Sequence, residues 1–199
     1  SKKESRKDNF FLAKKTLQFA DKLSAKQIIF HPGIDGDIEE AIYQINEIDD
    51  SRIIIENKPY FSNFSVGDDR VCNGYSPEEI KLIMNETGVG FCLDASHAIY
   101  AANAQKIDSF GYLKKFNELN PKMYHITNGD RDGTFDGHAN FHRGNFDIKA
   151  ILNIFDTTKK VTIETVKNFE SSLDDFRRDV LFLHDLIGQK TCNSQAAQL

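Results

Sequence analysis

Gly90-Phe91-Cys92-Leu93-Asp94-Ala95-Ser96-His97 is the stretch that decides the fold. Its apolar centre is short and unbroken, which suits a strand buried on both faces better than a surface helix. It ends in a carboxylate, Asp94, with an imidazole three residues on. Working outward, the same pattern recurs. Ile28-Ile29-Phe30 ends in His31, and Ile53-Ile54-Ile55 ends in Glu56. Met123-Tyr124 ends in His125, and Val161-Thr162-Ile163 ends in Glu164. Each apolar run therefore stops at a residue type that binds metal ions.

Helix-like segments lie between these runs. Phe10 to Leu23 reads as an amphipathic helix through Phe11, Leu12, Leu17, Phe19, Ala20 and Leu23. Asp37 to Ile48 opens with acidic residues, as a helix N-terminus favours. Ser76-Pro77-Glu78-Glu79 reads as N-cap, N1 proline and a glutamate at N3, starting a helix to about Glu86. A polar stretch after Asp94 leads to a helix near Ser109 to Leu119. Thr127 to Asn145 reads as a long loop and Phe146 to Phe155 as a helix. Ser171 to Ile187 is the last predicted helix, before a polar, frayed tail over 188–199. Strands alternating with helices predict an α/β fold with a parallel sheet and βαβ crossovers. No compositional break divides the chain, so residues 1–187 are expected to belong to one domain. Only five βα units are present where a closed barrel needs eight, so the pattern fits an open sheet or part of a barrel.

The chain has 199 residues, 40% hydrophobic and 28% charged, as expected of a globular domain with its own core. No apolar run approaches the roughly 18–20 residues that span a membrane, and the charged start has no apolar signal core, so no membrane partner and a cytoplasmic location are expected. Cys72, Cys92 and Cys192 form no paired spacing; Cys92 reads as a small core residue. The net charge of −5 taken alone argues against a nucleic-acid partner, but three bound divalent ions would more than cancel it.

In parallel βα folds the C-terminal ends of the strands converge on one face, where sites are built. A carboxylate or imidazole there must be paired, hydrogen-bonded or metal-bound. One such residue would be an ordinary helix cap or salt-bridge partner; five at five strand ends point to a metal centre. Oxygen and imidazole donors suit Zn²⁺ or Mn²⁺. Asp136 and His138 in the long loop add further donors.

The ordered set His31-Pro32-Gly33, Glu56-Asn57, Asp94-x-x-His97, His125, Asp136-Gly137-His138 and Glu164-Thr165 resembles the endonuclease IV-like apurinic/apyrimidinic endonucleases of the xylose isomerase-like TIM barrel superfamily. The likeness runs from about Glu4 to Ile187. It implies a (β/α)8 barrel, seen here from about its fourth strand onward, with Ser1 falling three strands in. It also implies up to three Zn²⁺ ions and hydrolysis of the phosphodiester beside an abasic site in DNA. By motif, His31 and Glu56 would hold the first ion, and Glu56 would bridge to a second held by Asp94, His125 and Glu164. His97, Asp136 and His138 would hold the third. A ninth ligand, a histidine, would follow a strand preceding the opening helix. Glu56 and Glu164 are the expected catalytic residues.

Sugar and sugar-phosphate isomerases or epimerases of the same superfamily are the alternative that the resemblance allows. They use one ion on a set like Glu56, Asp94, His125 and Glu164, with the two glutamates as an acid/base pair. The Asp136-x-His138 pair favours the nuclease. The chain departs from the nuclease pattern at Ala95-Ser96, at Thr127-Asn128-Gly129-Asp130 and at His142-Arg143, which replaces a Gly-Glu pair. His142 and Arg143 would contact substrate phosphate or form a solvated loop pair. Tyr60, Phe61 and Phe64 would stack on a base or pack over the barrel rim. His184 reads as an ordinary helix residue, and Lys2, Lys3, Arg6 and Lys7 as a solvated helix start.

Overall fold

A computed structural model describes residues 1–62, 70–167 and 171–196, the stretch 189–196 as backbone only. Phe64 lies outside the described residues. The five apolar runs form one parallel sheet in the order β1-β2-β3-β4-β5. They are β1 (Ile28–Phe30), β2 (Ile53–Glu56), β3 (Gly90–Asp94), β4 (Met123–Ile126) and β5 (Lys160–Ile163). Sequential order with every crossover helical makes the sheet a half-barrel.

The register explains how the strand ends come together. Ile29 pairs with Ile54, Glu56 with Cys92, Cys92 with Met123, Asp94 with His125, and His125 with Thr162. Side chains alternate along a strand with period two. Ile54, Cys92 and Met123 therefore share one face of the sheet, where they form a small apolar cluster with Ile29. Two residues further along each strand, that same face presents Glu56, Asp94 and His125. Glu164 continues the series just beyond β5, where its amide donates to Ile126 O at 3.2 Å.

The opposite face packs against the helices α1 (Arg6–Lys22), α2 (Ile38–Ile48), α3 (Pro77–Thr87), α4 (Ala95–Gln105), α5 (Ser109–Asn117), α6 (Ile148–Ile154) and α7 (Asp174–Ala196). Ile55, Phe91, Leu93, Tyr124 and Ile126 from the strands meet Ile80, Ile83, Ala98, Leu113, Phe116 and Ile151 from the helices, forming the main core. The predicted cap of α3 is present: Ser76 accepts from the Glu79 amide, Pro77 stands at N1, and Gly88 ends the helix at φ +70°. Cys72 and Cys92 are buried.

Four expectations change. The polar stretch after Asp94 is a helix, α4, with five alanines in its eleven residues and Asp94 as its N-cap. Strands buried on both faces are found only in the interior of the sheet: β2 is buried throughout, whereas β5, at one edge, is exposed at Lys160, Val161 and Thr162. The large apolar residues of α1 do not pack inward. Phe11, Leu12, Phe19 and Leu23 are exposed, and the buried residues of the helix, which packs beside α2, are the small Ala13 and Ala20. Finally, α7 runs past Ile187 to Ala196, so 188–196 is helical backbone rather than a frayed tail. In addition, Arg6 is not merely solvated: its guanidinium forks onto the buried Glu40 carboxylate at 2.5 and 2.6 Å. His184 is an exposed residue of α7. Tyr60 packs edge-on against Tyr75 and Phe61, 4.7 and 4.9 Å between ring centroids.

Candidate metal centre

Seven of the eight sequence-predicted ligands gather into two groups. Glu56, Asp94, His125 and Glu164 form one; His97, Asp136 and His138 form the other, each offering donor atoms within 4.8 Å of one another. Strand register builds the first group. The second joins the first turn of α4 to the loop after β4. Asp94 caps α4 by accepting from the His97 amide at 2.9 Å, and this places His97 one turn into the helix, over the strand ends. Ser96 Oγ donates to the same Asp94 Oδ1 at 2.6 Å. An N-cap role thus accounts for one oxygen of Asp94 but not the other.

Asn57 orders this junction from β2. Its side chain donates to Asp94 O at 2.9 Å and accepts from Asp94 N at 2.8 Å, as a further rung of the parallel ladder. Its carbonyl accepts from His97 Nδ1 at 2.8 Å. That bond holds the His97 proton on Nδ1 and turns Nε2 toward Asp136 Oδ2, 2.8 Å away. His138 is set the same way: Nδ1 donates to Glu164 O at 2.7 Å, and Nε2 lies 2.9 Å from Asp136 Oδ2. Two Nε2 atoms thus converge on one carboxylate oxygen.

Glu56 lies between the groups. Its carboxylate is 3.2 Å from His97 Nδ1, 3.4 Å from His125 Nδ1 and 3.4 Å from His31 Nε2. Burial would raise its pKa, but contacts with His125, His31 and His97 outweigh that and hold the carboxyl well below the usual carboxylate range. Asp94 goes the other way: complete burial raises its pKa, with the charges of Glu56 and Asp136 adding to the rise against the pull of His97. For Asp136, burial is outweighed by His97 and His138, and its pKa falls. Burial also opposes protonation of His97 and His125, yet Asp94 and Asp136 push His97 up to about 10, and Cys92, Glu164 and Glu56 together push His125 up to about 12. His138, beside Asp136, rises to about 9. Cys92 is not a thiolate donor, because burial pushes its thiol up to about 11.

Among the described residues, three buried polar side-chain atoms, Asp94 Oδ2, His125 Nδ1 and Asp136 Oδ1, have no hydrogen-bond partner. His125 Nδ1 lies 3.1 Å from Glu164 Oε1, close enough for an ion pair but without hydrogen-bond alignment. Orphaned donors and acceptors buried at this density are costly unless something else satisfies them. All three belong to the two groups, and the donor set of imidazole nitrogens and carboxylate oxygens fits a borderline or hard divalent cation.

The remaining predicted site residues lie further out. His31 has a side chain 55% exposed and touches the centre only through Glu56. A cavity of about 480 Å³ between α1, α2 and the end of β1 is lined in part by His31. His142 and Arg143 are exposed in a turn closed by the Arg143 amide on Asn140 O, and they belong to neither group. Asn57 and Thr165 stand in the sequence pattern without an evident task, and Asp179 and Asn140, which with Thr165 brace the loop of His138, carry no signal there. A buried amide directly after a strand-end glutamate is the one available signal, for Asn57.

Comparison with known proteins agrees with this architecture. The family model described as "Xylose isomerase-like TIM barrel" matches residues 1–185. Among solved structures, endonuclease IV from Thermus thermophilus superposes with a TM-score of 0.60 at 21% sequence identity, covering 83% of this chain and 64% of that one. This chain thus spans less than two thirds of that protein's length. A search of curated proteins finds no match. With a matching family model that spans nearly its whole length, the chain belongs to the xylose isomerase-like TIM barrel family.

Proposed function

We propose that the chain carries the metal centre of an endonuclease IV-like phosphodiester hydrolase that acts on abasic DNA with Zn²⁺, Mn²⁺ being an alternative ion. The observation that carries this reading is the second ligand group. His97, Asp136 and His138 stand beside the four-residue group and are joined to it through Glu56, 3.2 Å from His97. A sugar isomerase with one ion needs only the four residues. A phosphodiester carries charge on several oxygens at once, and a centre with more than one cation site suits it.

Bound divalent ions would supply a nucleophile from water near neutral pH and would neutralise charge on the phosphate and the leaving oxygen. The chain's own residues do the positioning. Asn57 O and Glu164 O fix the His97 and His138 tautomers, so that each ring offers Nε2. Glu56, kept ionised, lies where one carboxylate can serve both groups and His31. Asp94, His125 and Glu164 complete the inner group, with Glu56 and Glu164 as the catalytic carboxylates that orient the attacking water. His142 and Arg143, exposed on the adjoining loop, are assigned to substrate phosphate.

The test is metal analysis of the purified full chain together with a nicking assay on a duplex containing one abasic site. More than one zinc per chain and metal-dependent nicking are expected, with nicking reduced at least about 100-fold in His138→Ala. The sugar-isomerase reading expects about one ion, no nicking, and an activity on sugars or sugar phosphates that largely survives His138→Ala.

A further inference from the structure

We propose that Asp179, on α7, is a positioning residue that locks the loop bearing His138 to the strand end bearing Glu164 and so fixes the spacing of the two ligand groups; this deepens the metal-centre reading and rests on it. Asp179 is 1% exposed. Its carboxylate points at neither ligand group and instead gathers three donors. Oδ1 accepts from the Phe141 amide at 3.0 Å. Oδ2 accepts from Asn140 Nδ2 at 2.8 Å and from Thr165 Oγ1 at 2.7 Å. A buried carboxylate is tolerated when donors of this kind satisfy it, and charge-assisted bonds are the stronger ones.

The donors come from the two segments that carry His138 and Glu164. Asn140 and Phe141 follow His138 by two and three residues; Thr165 follows Glu164 directly. Three further bonds close a ring. Asn140 Nδ2 also donates to Val166 O at 3.1 Å. The Val166 amide donates to His138 O at 2.8 Å, and His138 Nδ1 donates to Glu164 O at 2.7 Å. The ring matters because His138 is held at φ +45°, in the left-handed region. A histidine there persists only when its surroundings over-determine it. On the other side, Asn128 and Ala139 exchange backbone bonds at 3.0 Å in each direction. Asp179 supplies the tether from outside the loop and is the member of the ring that sits on a helix.

The isosteric variant Asp179→Asn decides the matter, because it keeps the packing and turns one acceptor into a donor facing the Asn140 amide. Leu183→Ala serves as the control, since it removes a buried apolar side chain of the same helix and none of the ring's hydrogen bonds. Two measurements are made on the full chain. The first is amide hydrogen exchange at Phe141 and Val166 without ions. The second is Co²⁺ affinity, read from visible absorption. Asp179→Asn is expected to speed exchange at both amides at least tenfold and to weaken Co²⁺ binding about tenfold or more, as loss of support behind a ligand does. Leu183→Ala is expected to leave both within about twofold at temperatures where it stays folded, the scatter allowed for a site not coupled to the ring. The proposal is overturned if the two amides in Asp179→Asn exchange as in wild type, or if Leu183→Ala speeds them equally. It is also overturned if Co²⁺ affinity is unchanged in Asp179→Asn while wild type binds normally. A wild-type chain that binds no Co²⁺ would defeat the metal-centre reading itself, and the exchange comparison would still decide whether Asp179 is the clamp.

Discussion

Protons and cations compete for the same imidazoles. The pKa values of His97, His125 and His138 are raised to about 10, about 12 and about 9, so without ions all three are protonated at pH 7. A histidine ligand must be neutral, so ion binding at pH 7 must release protons, and affinity should climb as pH rises toward 9. The same shifts act oppositely on the ion-free fold. Folded pKa values above the unfolded value of about 6.5 give stabilisation that is complete below that pH and lost as pH rises through 9 to 12. Titration calorimetry in buffers of different ionisation enthalpy checks the first claim; a heat independent of buffer would contradict it. Asp94 allows a second test. Asparagine caps helices as well as aspartate does, and burial makes the Asp94 charge unfavourable. Asp94→Asn should therefore keep or slightly raise ion-free stability while cutting ion affinity at least about tenfold. At this scale the ligands were legible in the sequence because their residue types are unusual after apolar strands. Asn57 and Asp179 were not, since an amide or acid that braces a backbone has no characteristic spacing.

Among the elements, the junction of β2, β3 and α4 carries the most information. Asn57→Ala would remove both hydrogen bonds that its side chain makes to the buried Asp94 backbone, leaving the Asp94 N–H without the acceptor that Asn57 supplies. A loss of about 1–3 kcal/mol in urea unfolding is expected. Loosening of His97 should accompany it, seen as weaker Co²⁺ binding, because the shift in β3 moves the first turn of α4. Ser76→Ala should cost only about 1 kcal/mol by removing the α3 cap, with no effect on ion affinity. Helix α3 was legible because its cap is written in consecutive residues. Helix α4 was not, because Ser96, His97 and Asn103 break the apolar pattern while its propensity lies in its alanines. The large apolar residues of α1 follow a helical period, yet period alone does not say which face meets the sheet.

For the molecule as a whole, four carboxylates (Glu56, Asp94, Asp136 and Glu164) and three imidazoles are gathered at one end of a half-barrel, and three of their atoms are orphaned. Any ion that binds the folded chain more tightly than the unfolded one will stabilise it, by about 4 kcal/mol at a thousandfold excess over Kd. Chelation should therefore lower the melting temperature by several degrees, and Zn²⁺ should restore it; a melting curve indifferent to both would argue against a metal centre. The sequence by itself determined the five strands, their parallel order and the residue type at each strand end, because short apolar runs and the polar residues that stop them are local features. The grouping was implied in the sequence only through the family resemblance; the tertiary structure decided it physically. Register and alternation, which depend on pairing between distant segments, put Glu56, Asp94, His125 and Glu164 on one face. Backbone carbonyls of Asn57 and Glu164 chose the imidazole nitrogens, and Asp179 from the last helix fixed a loop whose conformation no local rule would favour.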